Sequence, residues 1–288
     1  MHIFREIHAT HQACREARSR LTGSGATGLV PLGLVPTMGA LHAGHLSLVR
    51  RARQSCAVVA ATIFVNPLQF APGEDLERYP RSLEDDCTML EAEGVDLVFI
   101  PSAEEMYPQG ARTTVEVAGL SERLDGAHRQ GHFRGVATVV AKLFHIIEPD
   151  NAYFGQKDAV QVAVLRQMVR DLNFFVEVIT CETVRDADGL ALSSRNAYLT
   201  AAERRQALAI PRALEVMQAC VLGGKREVGA VLRSGLDVLQ GEPAIALEFM
   251  EAVDATSLDP VDTIVPGNLI ALAARVGKTR LIDNILTK

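Results

Sequence analysis

The chain passes from strand to helix within the stretch Val35-Pro-Thr-Met-Gly-Ala-Leu-His-Ala-Gly-His-Leu-Ser47. The apolar run Leu32 to Val35 predicts a short buried strand, and Leu46 and Val49 begin a helical spacing. Residues 36–44 are therefore predicted to form a strand-to-helix turn. Such a turn suits an anion, because the first N–H groups of a helix lack partners within the helix and lie at the positive end of its dipole.

Two histidines, His42 and His45, lie at the mouth of this helix. A single histidine in such a place is more often a surface cap or a satisfied core residue. The pair could also ligate a metal, but zinc requires a third protein ligand, and no cysteine or carboxylate lies at ligand spacing nearby. Gly39 and Gly44 would let the backbone approach a ligand closely.

The pattern His-x-Gly-His after a strand resembles the nucleotide-binding motif of the adenylyl- and cytidylyltransferase superfamily, which includes class I aminoacyl-tRNA synthetases. The resemblance implies a second phosphate-binding loop far downstream, and Leu192-Ser-Ser-Arg195 matches that expectation. Its hydroxyls, N–H groups and guanidinium could clamp a triphosphate through charge-assisted hydrogen bonds. Taken alone, a Ser-Ser-Arg segment is most often an ordinary solvated turn.

Composition limits the class of protein. The chain has 288 residues, of which 48% are hydrophobic, and this suits one large domain or two smaller ones. No apolar window is long enough for a membrane span and the start of the chain has no apolar signal core, so a cytoplasmic protein is expected. Five scattered cysteines fit reduced thiols. The net charge of −6 and dispersed basic residues argue against nucleic-acid binding.

Strands and helices alternate along the first two thirds of the chain, and this pattern predicts an α/β fold with a Rossmann-like doubly wound parallel sheet. Gly23-Ser-Gly-Ala-Thr-Gly28 matches G-x-G-x-x-G but precedes a strand, so we interpret it as a flexible loop. A helix is predicted at residues 5–20 and another at 82–93. Further strands are predicted at residues 57–65, 95–100, 152–154 and 174–181.

A second strand-to-helix turn is predicted at Gly155-Gln-Lys-Asp158. Lys157, Asp158 and Gln161 project from the first turn of the following helix. An N-cap role would explain Asp158 alone. It would not explain a lysine at the positive end of the helix dipole, so the turn is predicted to receive an anion.

The composition changes after Asn196, and a smaller α/β lobe is predicted there. Thr200-Ala-Ala-Glu203 is a capping box that opens a helix, and Pro211 is expected to start a second helical segment. Strands are predicted at 246–253 and 269–273. Gly277-Lys-Thr279 is not a P-loop, because position 272 is leucine. Two domains are predicted, residues 1–183 and residues 184–288.

Five motifs in order narrow the resemblance to the pantothenate synthetase (pantoate–beta-alanine ligase) family of the same superfamily. They are Pro36-Thr-Met-Gly-Ala-Leu-His-Ala-Gly-His45, Phe64-Val-Asn-Pro-Leu-Gln-Phe70, Gly131-His-Phe-Arg-Gly-Val136, Tyr153-Phe-Gly-Gln-Lys-Asp158 and Gly189-Leu-Ala-Leu-Ser-Ser-Arg-Asn196. Leu192 stands where the family usually has methionine, and its similar volume should preserve the loop.

The resemblance implies an AMP-forming ligase. Pantoate would attack ATP to give pantoyl adenylate and pyrophosphate, and β-alanine would then displace AMP and yield pantothenate. The resemblance also implies Mg²⁺ with the ATP, a homodimer, nucleotide and pantoate binding by residues 1–183, and a lid formed by residues 184–288.

The resemblance further implies roles for individual residues. The catalytic residues would be His42, His45, Lys157 and Arg195, and Gln69 and Gln161 would bind pantoate, with β-alanine also meeting Gln69. Arg129 and His132 are weaker candidates for that pocket. An acidic pair such as Asp85-Asp86 is more often a solvated face, so no metal ligand is assigned. The nucleotide site would be lined by Met38, Gly39, Ala40, Leu41, His42, Ala43, Gly44, His45, Gly155, Gln156, Lys157, Asp158, Val184, Leu192, Ser193, Ser194 and Arg195.

Two alternatives stay open at this point. Another nucleotidyltransferase of the superfamily would keep both phosphate loops but need other residues in place of Gln69 and Gln161. A non-catalytic module would bind ATP without releasing pyrophosphate.

Overall fold

The computed structural model describes residues 1–22, 31–71, 73–74 and 76–288. The loop predicted at Gly23 to Gly28 lies outside the described residues.

The first lobe is organised around a parallel sheet. Within the described residues the sheet has six strands in the order β1-β4-β3-β2-β5-β6, and every neighbouring pair is parallel. The strands are β1 (His2–Phe4), β2 (Leu32–Thr37), β3 (Val58–Ile63), β4 (Leu97–Phe99), β5 (Asn151–Gly155) and β6 (Glu177–Cys181).

Helices connect these strands. They are α1 (Ile7–Thr22), α2 (Ala43–Ser55), α3 (Leu83–Ala92), α4 (Ala103–Met106), α5 (Asp125–His128), α6 (His132–Ile147) and α7 (Ala159–Asp171). Short 3₁₀ turns lie at Pro67–Gln69, Leu120–Glu122, Gln156–Asp158 and Ser194–Tyr198. None of the helices in the described ranges combines the length and apolar character that crossing a bilayer requires.

Both faces of the sheet are buried, as is typical of a parallel sheet between two helical layers. Leu34 and Phe154 belong to a core cluster that includes residues of α1, α6 and α7. Val35 and Tyr153, each next to one of these residues, belong to a separate cluster with residues of α2 and α3. Neighbouring strand residues thus face opposite helical layers, and the predicted doubly wound sheet is confirmed.

The strand order reverses between β2 and β5. From β2 the sheet continues through β3 to β4 on one side, and through β5 to β6 on the other. Connections that leave the ends of β2 and β5 diverge to opposite sides and open a crevice, which is where ligands bind in sheets of this type. The fold therefore places the turns after Thr37 and Gly155 side by side.

The second lobe packs three helices on an antiparallel sheet within the described residues. Its elements are α8 (Ala201–Ala207), α9 (Ala209–Leu222), α10 (Val228–Gln240), β7 (Ile245–Val253), β8 (Leu269–Val276) and β9 (Thr279–Leu286). The capping box is confirmed, because Thr200 Oγ1 accepts from the Glu203 N–H at 3.2 Å and Glu203 accepts from the Thr200 N–H at 2.8 Å. Helix α9 begins at Ala209, before Pro211, which lies in its first turn, where its missing N–H needs no partner.

Two strands of the structure, β1 and β9, were not predicted from the sequence. Strand β1 has three residues, which is too short for a pattern to show. Strand β9 pairs with β8 across a tight hairpin in which Val276 faces Thr279. Gly277 adopts a φ of +58° in that turn, and this explains the glycine in the Gly-Lys-Thr sequence that resembles part of a P-loop.

Gly135 lets helix α6 touch the loop after β3. A Cβ atom on Gly135 would lie 2.1 Å from the carbonyl oxygen of Leu68 and 2.8 Å from the N atom of Gln69. Only a glycine fits at this crossing, so the glycine of the Gly131–Val136 motif has a packing role.

We expect Gly135→Ala to lower the free energy of unfolding by roughly 1–3 kcal/mol, because helix and loop must move apart. Urea unfolding measures the change. Gly241→Ala is the control, since a Cβ at Gly241 would lie 3.4 Å from the Val238 carbonyl oxygen, an ordinary contact. Equal midpoints for the two variants would contradict this explanation of Gly135.

Candidate functional site

The two loops predicted to hold phosphate meet in one cavity beyond the ends of β2 and β5. His42 and His45 line it from the first turn, Lys157 from the second, and Ser193 and Arg195 from the distant loop. The other lining residues are Met38, Gly44, Leu48, Gln69, Phe70, Tyr79, Arg129, His132, Gly155, Asp158, Gln161, Glu182, Thr183, Val184, Leu192 and Ser194.

The two histidines of the first turn cap helix α2. His42 Nδ1 accepts a hydrogen bond from the Gly44 N–H at 3.2 Å, and His45 Nδ1 accepts from the His42 N–H at 3.4 Å. The ring centroids are 4.1 Å apart. Because Nδ1 is an acceptor in each ring, a neutral ring carries its proton on Nε2. Both imidazoles can therefore act as Nε2–H donors in the cavity that they line.

Burial favours the neutral form of both rings. It lowers the pKa of His45 to about 3, with a further contribution from neighbouring His42. Burial also lowers the pKa of His42, and the positive charge of Lys157 adds to this effect. At neutral pH the site of the unliganded protein thus offers uncharged donors at these two positions.

Asp86 holds the first turn in place. Its carboxylate accepts hydrogen bonds from the N–H groups of Ala40 at 2.9 Å and Leu41 at 2.8 Å. Ala40 has a φ of +51°, an unfavourable conformation for alanine that these bonds help to maintain. The expectation of a solvated acidic pair agrees with exposed Asp85 but is wrong for Asp86, which is 1% exposed. The N–H groups of Ala40 and Leu41 are consequently occupied by protein.

Asn66 orients the side chain of Gln69. Its Nδ2 donates to Gln69 Oε1 at 2.9 Å and to the Gly135 carbonyl at 3.1 Å, and its Oδ1 accepts from Tyr107 Oη at 2.8 Å. Since Oε1 of Gln69 is engaged, its amide NH₂ is the group available to a ligand. Gln69 thus offers N–H donors, as an anionic carboxylate requires.

A chain of polar contacts supports the same glutamine from the other side. Arg129 forms a bidentate ion pair with Glu74, at 2.9 and 2.8 Å, and its Nη1 lies 2.9 Å from His132 Nε2. His132 Nδ1 lies 2.7 Å from the carbonyl oxygen of Gln69. Burial, reinforced by Arg129, lowers the pKa of His132 to about 4, so the neutral ring donates from Nδ1 and accepts at Nε2. Arg129 and His132 therefore brace the backbone of Gln69 as well as lining the cavity.

Lys157 lies beside Asp158 in the 3₁₀ turn that precedes α7, and not in the first turn of that helix as predicted, whereas Gln161 does lie in that first turn. Its Nζ is 3.4 Å from Asp158 Oδ1. Burial alone would raise the pKa of Asp158, but the positive charge of Lys157 and its hydrogen bond outweigh burial and lower it. Asp158 occupies the N-cap position but forms no side-chain capping bond. Its carboxylate instead pairs with Lys157.

The second loop is held by its own hydroxyls and by the first lobe. Ser193 Oγ accepts from the Arg195 N–H at 3.3 Å, and Ser194 Oγ lies 3.4 Å from Tyr79 Oη. Tyr198 Oη donates to the Arg78 carbonyl at 3.2 Å. These contacts hold the loop in place, and Arg195 lines the cavity, where its positive charge suits an anion.

The cavity continues in two directions of different chemical character. On one side it meets a pocket with the apolar side chains of Val139, Val140 and Leu143, into which Gln69 and Gln161 also project. On the other side it opens into a cleft between the lobes with the cations Arg78, Arg275 and Lys278. An organic acid with an apolar body suits the first side, and a polyphosphate suits the second.

Comparison with known proteins identifies the family of the chain. The family model described as Pantoate-beta-alanine ligase matches residues 2–286. The chain belongs to the pantoate-beta-alanine ligase family. It is 57% identical over 282 residues to the pantothenate synthetase of Acidobacterium capsulatum, covering 98% of this chain and 94% of that protein.

Solved structures of this family have the same fold. The pantothenate synthetase of Thermus thermophilus matches with a TM-score of 0.91 and 45% identity over 99% of both chains. The pantoate-beta-alanine ligase of Francisella tularensis, solved in complex with Beta-gamma ATP and Beta-alanine, matches with a TM-score of 0.79 and 33% identity, covering 99% of this chain and 97% of that one.

Most residues assigned from the resemblance to this ligase family line the cavity, and five do not. Gly39, Ala40 and Leu41 lie behind the turn, with Leu41 in the core and the N–H of Gly39 bonded to Thr37 Oγ1. Ala43 is exposed, and the Gln156 side chain bonds Asn284 of the second lobe. These five residues shape the turns, and the cavity itself is lined by their neighbours.

Several residues that shape the candidate site were not predicted from the sequence. Asp86 lies four residues before buried Leu90 on the inner face of α3, and this spacing was its only sequence signal. Asn66 follows β3 within a family motif but was assigned no role. Tyr79 and Thr183 also line the cavity. Within the part of the chain that the structure describes, no group of three or more His, Cys, Asp or Glu side chains could hold a metal ion.

We expect Asp86→Asn to lower the free energy of unfolding by about 1–3 kcal/mol, because an amide can accept only one of the two N–H bonds. Urea unfolding measures the loss. Asp85→Asn, at the exposed neighbouring position, should change stability by less than about 0.5 kcal/mol. A similar effect at both positions would show that the carboxylate of Asp86 does not hold the turn.

We also expect His45 to make the protein less stable in acid. The pKa of a histidine in the unfolded chain is about 6.5 and that of folded His45 is about 3, so between these values the unfolded state binds more protons. The free energy of unfolding then falls as the pH falls, by at most about 1.4 kcal/mol per pH unit for this residue. Urea unfolding at pH 6.5 and 5 should show a shallower loss for His45→Gln than for the parent protein, and parallel losses would contradict this.

Proposed function

We propose that the chain condenses pantoate with β-alanine in an ATP-dependent reaction that proceeds through pantoyl adenylate and releases pyrophosphate and AMP. The observation that carries the proposal is the convergence of both phosphate loops on a cavity that continues into an apolar pocket with two glutamines. Membership of the pantoate-beta-alanine ligase family supports the same reaction.

The reaction explains the need for a nucleotide site beside an acid site. A carboxylate is a poor electrophile at neutral pH, so pantoate must first be activated as its adenylate. In that step the pantoate carboxylate oxygen forms a bond to the α-phosphorus of ATP, and the bond from this phosphorus to pyrophosphate breaks. The amine of β-alanine then attacks the acyl carbon, AMP departs with the bonding electron pair, and the amine loses a proton. Enzymes that catalyse such transfers act mainly by positioning and charge stabilisation.

We assign the polyphosphate to the charged side of the cavity. Lys157 and Arg195 supply positive charge, Ser193 and Ser194 supply hydroxyl and N–H donors, and the neutral imidazoles of His42 and His45 supply Nε2–H donors. His45 would then stabilise charge by hydrogen bonding, since its low pKa leaves few protonated rings at neutral pH. Met38, Gly44, Gly155, Asp158, Val184 and Leu192 would line the rest of the nucleotide site.

We assign pantoate to the apolar side of the cavity. Pantoate has a quaternary carbon with two methyl groups, for which Val139, Val140 and Leu143 provide apolar contacts. Its carboxylate and hydroxyls need neutral donors and acceptors, which Gln69 and Gln161 provide. The fixed amide of Gln69 would direct N–H donors to the carboxylate and would later also meet β-alanine.

Three further assignments complete the proposal. Mg²⁺ would be bound with ATP, mainly through phosphate oxygens and water. The enzyme would be a cytoplasmic homodimer, and its five free cysteines suit a reducing compartment. The boundary between the nucleotide- and pantoate-binding domain and the lid would lie between residues 183 and 184.

Pyrophosphate release tests the function. With ATP and Mg²⁺, we expect release that requires pantoate, and continuous turnover once β-alanine is added. Gln161→Ala should raise the KM for pantoate roughly ten-fold or more, because it removes a hydrogen bond to a charged or polar substrate group, and change the KM for ATP by less than about two-fold.

Gln167→Ala is the matched control, because this glutamine of the same helix bonds Asp171 at 2.7 Å and does not line the cavity. Its kinetic constants should equal those of the parent protein. Release that ignores pantoate would overturn the proposed reaction, and an ATP-specific defect in Gln161→Ala would overturn the role of that residue.

A further inference from the structure

The second lobe reaches across to the phosphate-facing turn through one side chain. Asn284 of β9 is 5% exposed. Its Nδ2 donates to the carbonyl oxygens of Gln156 at 3.0 Å and of Lys157 at 2.9 Å, and its Oδ1 accepts from Gln156 Nε2 at 2.9 Å. The NH₂ group and the carbonyl oxygen of the Asn284 side chain therefore all form hydrogen bonds with two consecutive residues of the turn.

These bonds constrain the direction in which the side chain of Lys157 extends from the backbone. Two consecutive carbonyls directed at one NH₂ group fix the two peptide planes that flank the Lys157 Cα. Asn284 itself is not among the residues that line the nucleotide cavity or the adjoining cleft, whereas Lys157 lines both. Any effect of Asn284 on a nucleotide must therefore pass through the turn.

Asp283, the residue before Asn284, helps to hold the segment that leads to the Ser-Ser-Arg loop. Asp283, 2% exposed, forms a bidentate ion pair with Arg185 at 2.6 and 3.0 Å. Arg185 also donates to the Gly189 carbonyl at 3.1 Å, within the segment that leads to Ser193. Two neighbouring residues of one strand thus connect the turn after β5 to the Ser-Ser-Arg loop.

We infer that Asn284 is a positioning residue for adenylate formation: it presents Lys157 to the polyphosphate only while the second lobe is docked on the first. This inference rests on the proposed function. In the second half-reaction pyrophosphate has gone, so correct placement of Lys157 should matter less there.

Two substitutions at position 284 test whether Asn284 acts by positioning Lys157 through hydrogen bonds or only by filling space between the lobes. Asn284→Ala removes all three bonds. Asn284→Asp keeps the shape and the acceptor but places an oxygen opposite two carbonyl oxygens. We expect both to slow pantoate-dependent exchange of pyrophosphate into ATP at least roughly ten-fold and to raise the KM for ATP, with the KM for pantoate unchanged. The attack of β-alanine on added pantoyl adenylate should change by less than about three-fold.

Arg123→Ala is the control for a general loosening of the lobes. Arg123 joins them elsewhere, through an ion pair with Asp259 at 2.6 Å and a bond to the Leu258 carbonyl at 3.0 Å. Both half-reactions of this variant should stay within about two-fold of the parent rates. Thermal unfolding checks that each variant is folded, and Asn284→Asp carries the test if Asn284→Ala does not fold.

The outcomes separate the two proposals. Exchange within about two-fold of the parent rate in the folded variants, or equal losses in both half-reactions, would overturn the role of Asn284. An Asn284→Asp variant that behaves like the parent would do the same, because packing alone would then suffice. Absence of pantoate-dependent exchange in the parent protein would instead overturn the proposed function.

Discussion

The order of the parallel strands is the constraint on which the site depends. In the part of the chain that the structure describes, the turns that follow the parallel strands leave the same edge of the sheet, and the strand order reverses between β2 and β5, where neighbouring connections diverge and leave a crevice. One side of the crevice receives His42 and His45, and the other receives Lys157. The Ser-Ser-Arg loop belongs to neither strand, so it must be held from outside the sheet. The Arg185–Asp283 ion pair and the contact of Ser194 with Tyr79 do this.

Buried acceptors determine which donors face the cavity. Asp86 occupies the N–H groups of Ala40 and Leu41, and His42 occupies that of Gly44. Few backbone N–H groups of the first turn therefore remain for an anion, in contrast to a glycine-rich phosphate loop. An anion would therefore be bound mainly by side chains, and hydrogen bonds within the protein fix the orientation of these side chains. The imidazoles are fixed through Nδ1, and Gln69 is fixed by Asn66.

The features that could be predicted from the sequence are those determined by residues close together in the chain. Apolar runs and helical spacing located the sheet and the turn at His42, and the order of the motifs linked that turn to Ser193. The roles of Asp86 and Asn284 were not predicted because their partners are distant in the chain. Asn66 bonds nearby Gln69, but it is held by Gly135 and Tyr107, which are 69 and 41 positions away. Asp86 bonds residues 45 and 46 positions away, and Asn284 bonds residues 127 and 128 positions away. A polar residue in a helix or strand resembles a surface residue until its long-range partner is known.

The uncharged state of the histidines has a consequence for catalysis. A protonated imidazole at the start of α2 would lie at the positive end of the helix dipole and near Lys157, where the pKa of His42 is already lowered. A neutral Nε2–H avoids this repulsion and still provides a directed hydrogen bond. Because the capping bonds fix both rings before any ligand arrives, little reorganisation is needed when negative charge develops on departing pyrophosphate. The same bonds that begin the helix would thus prepare the donors for the proposed transition state.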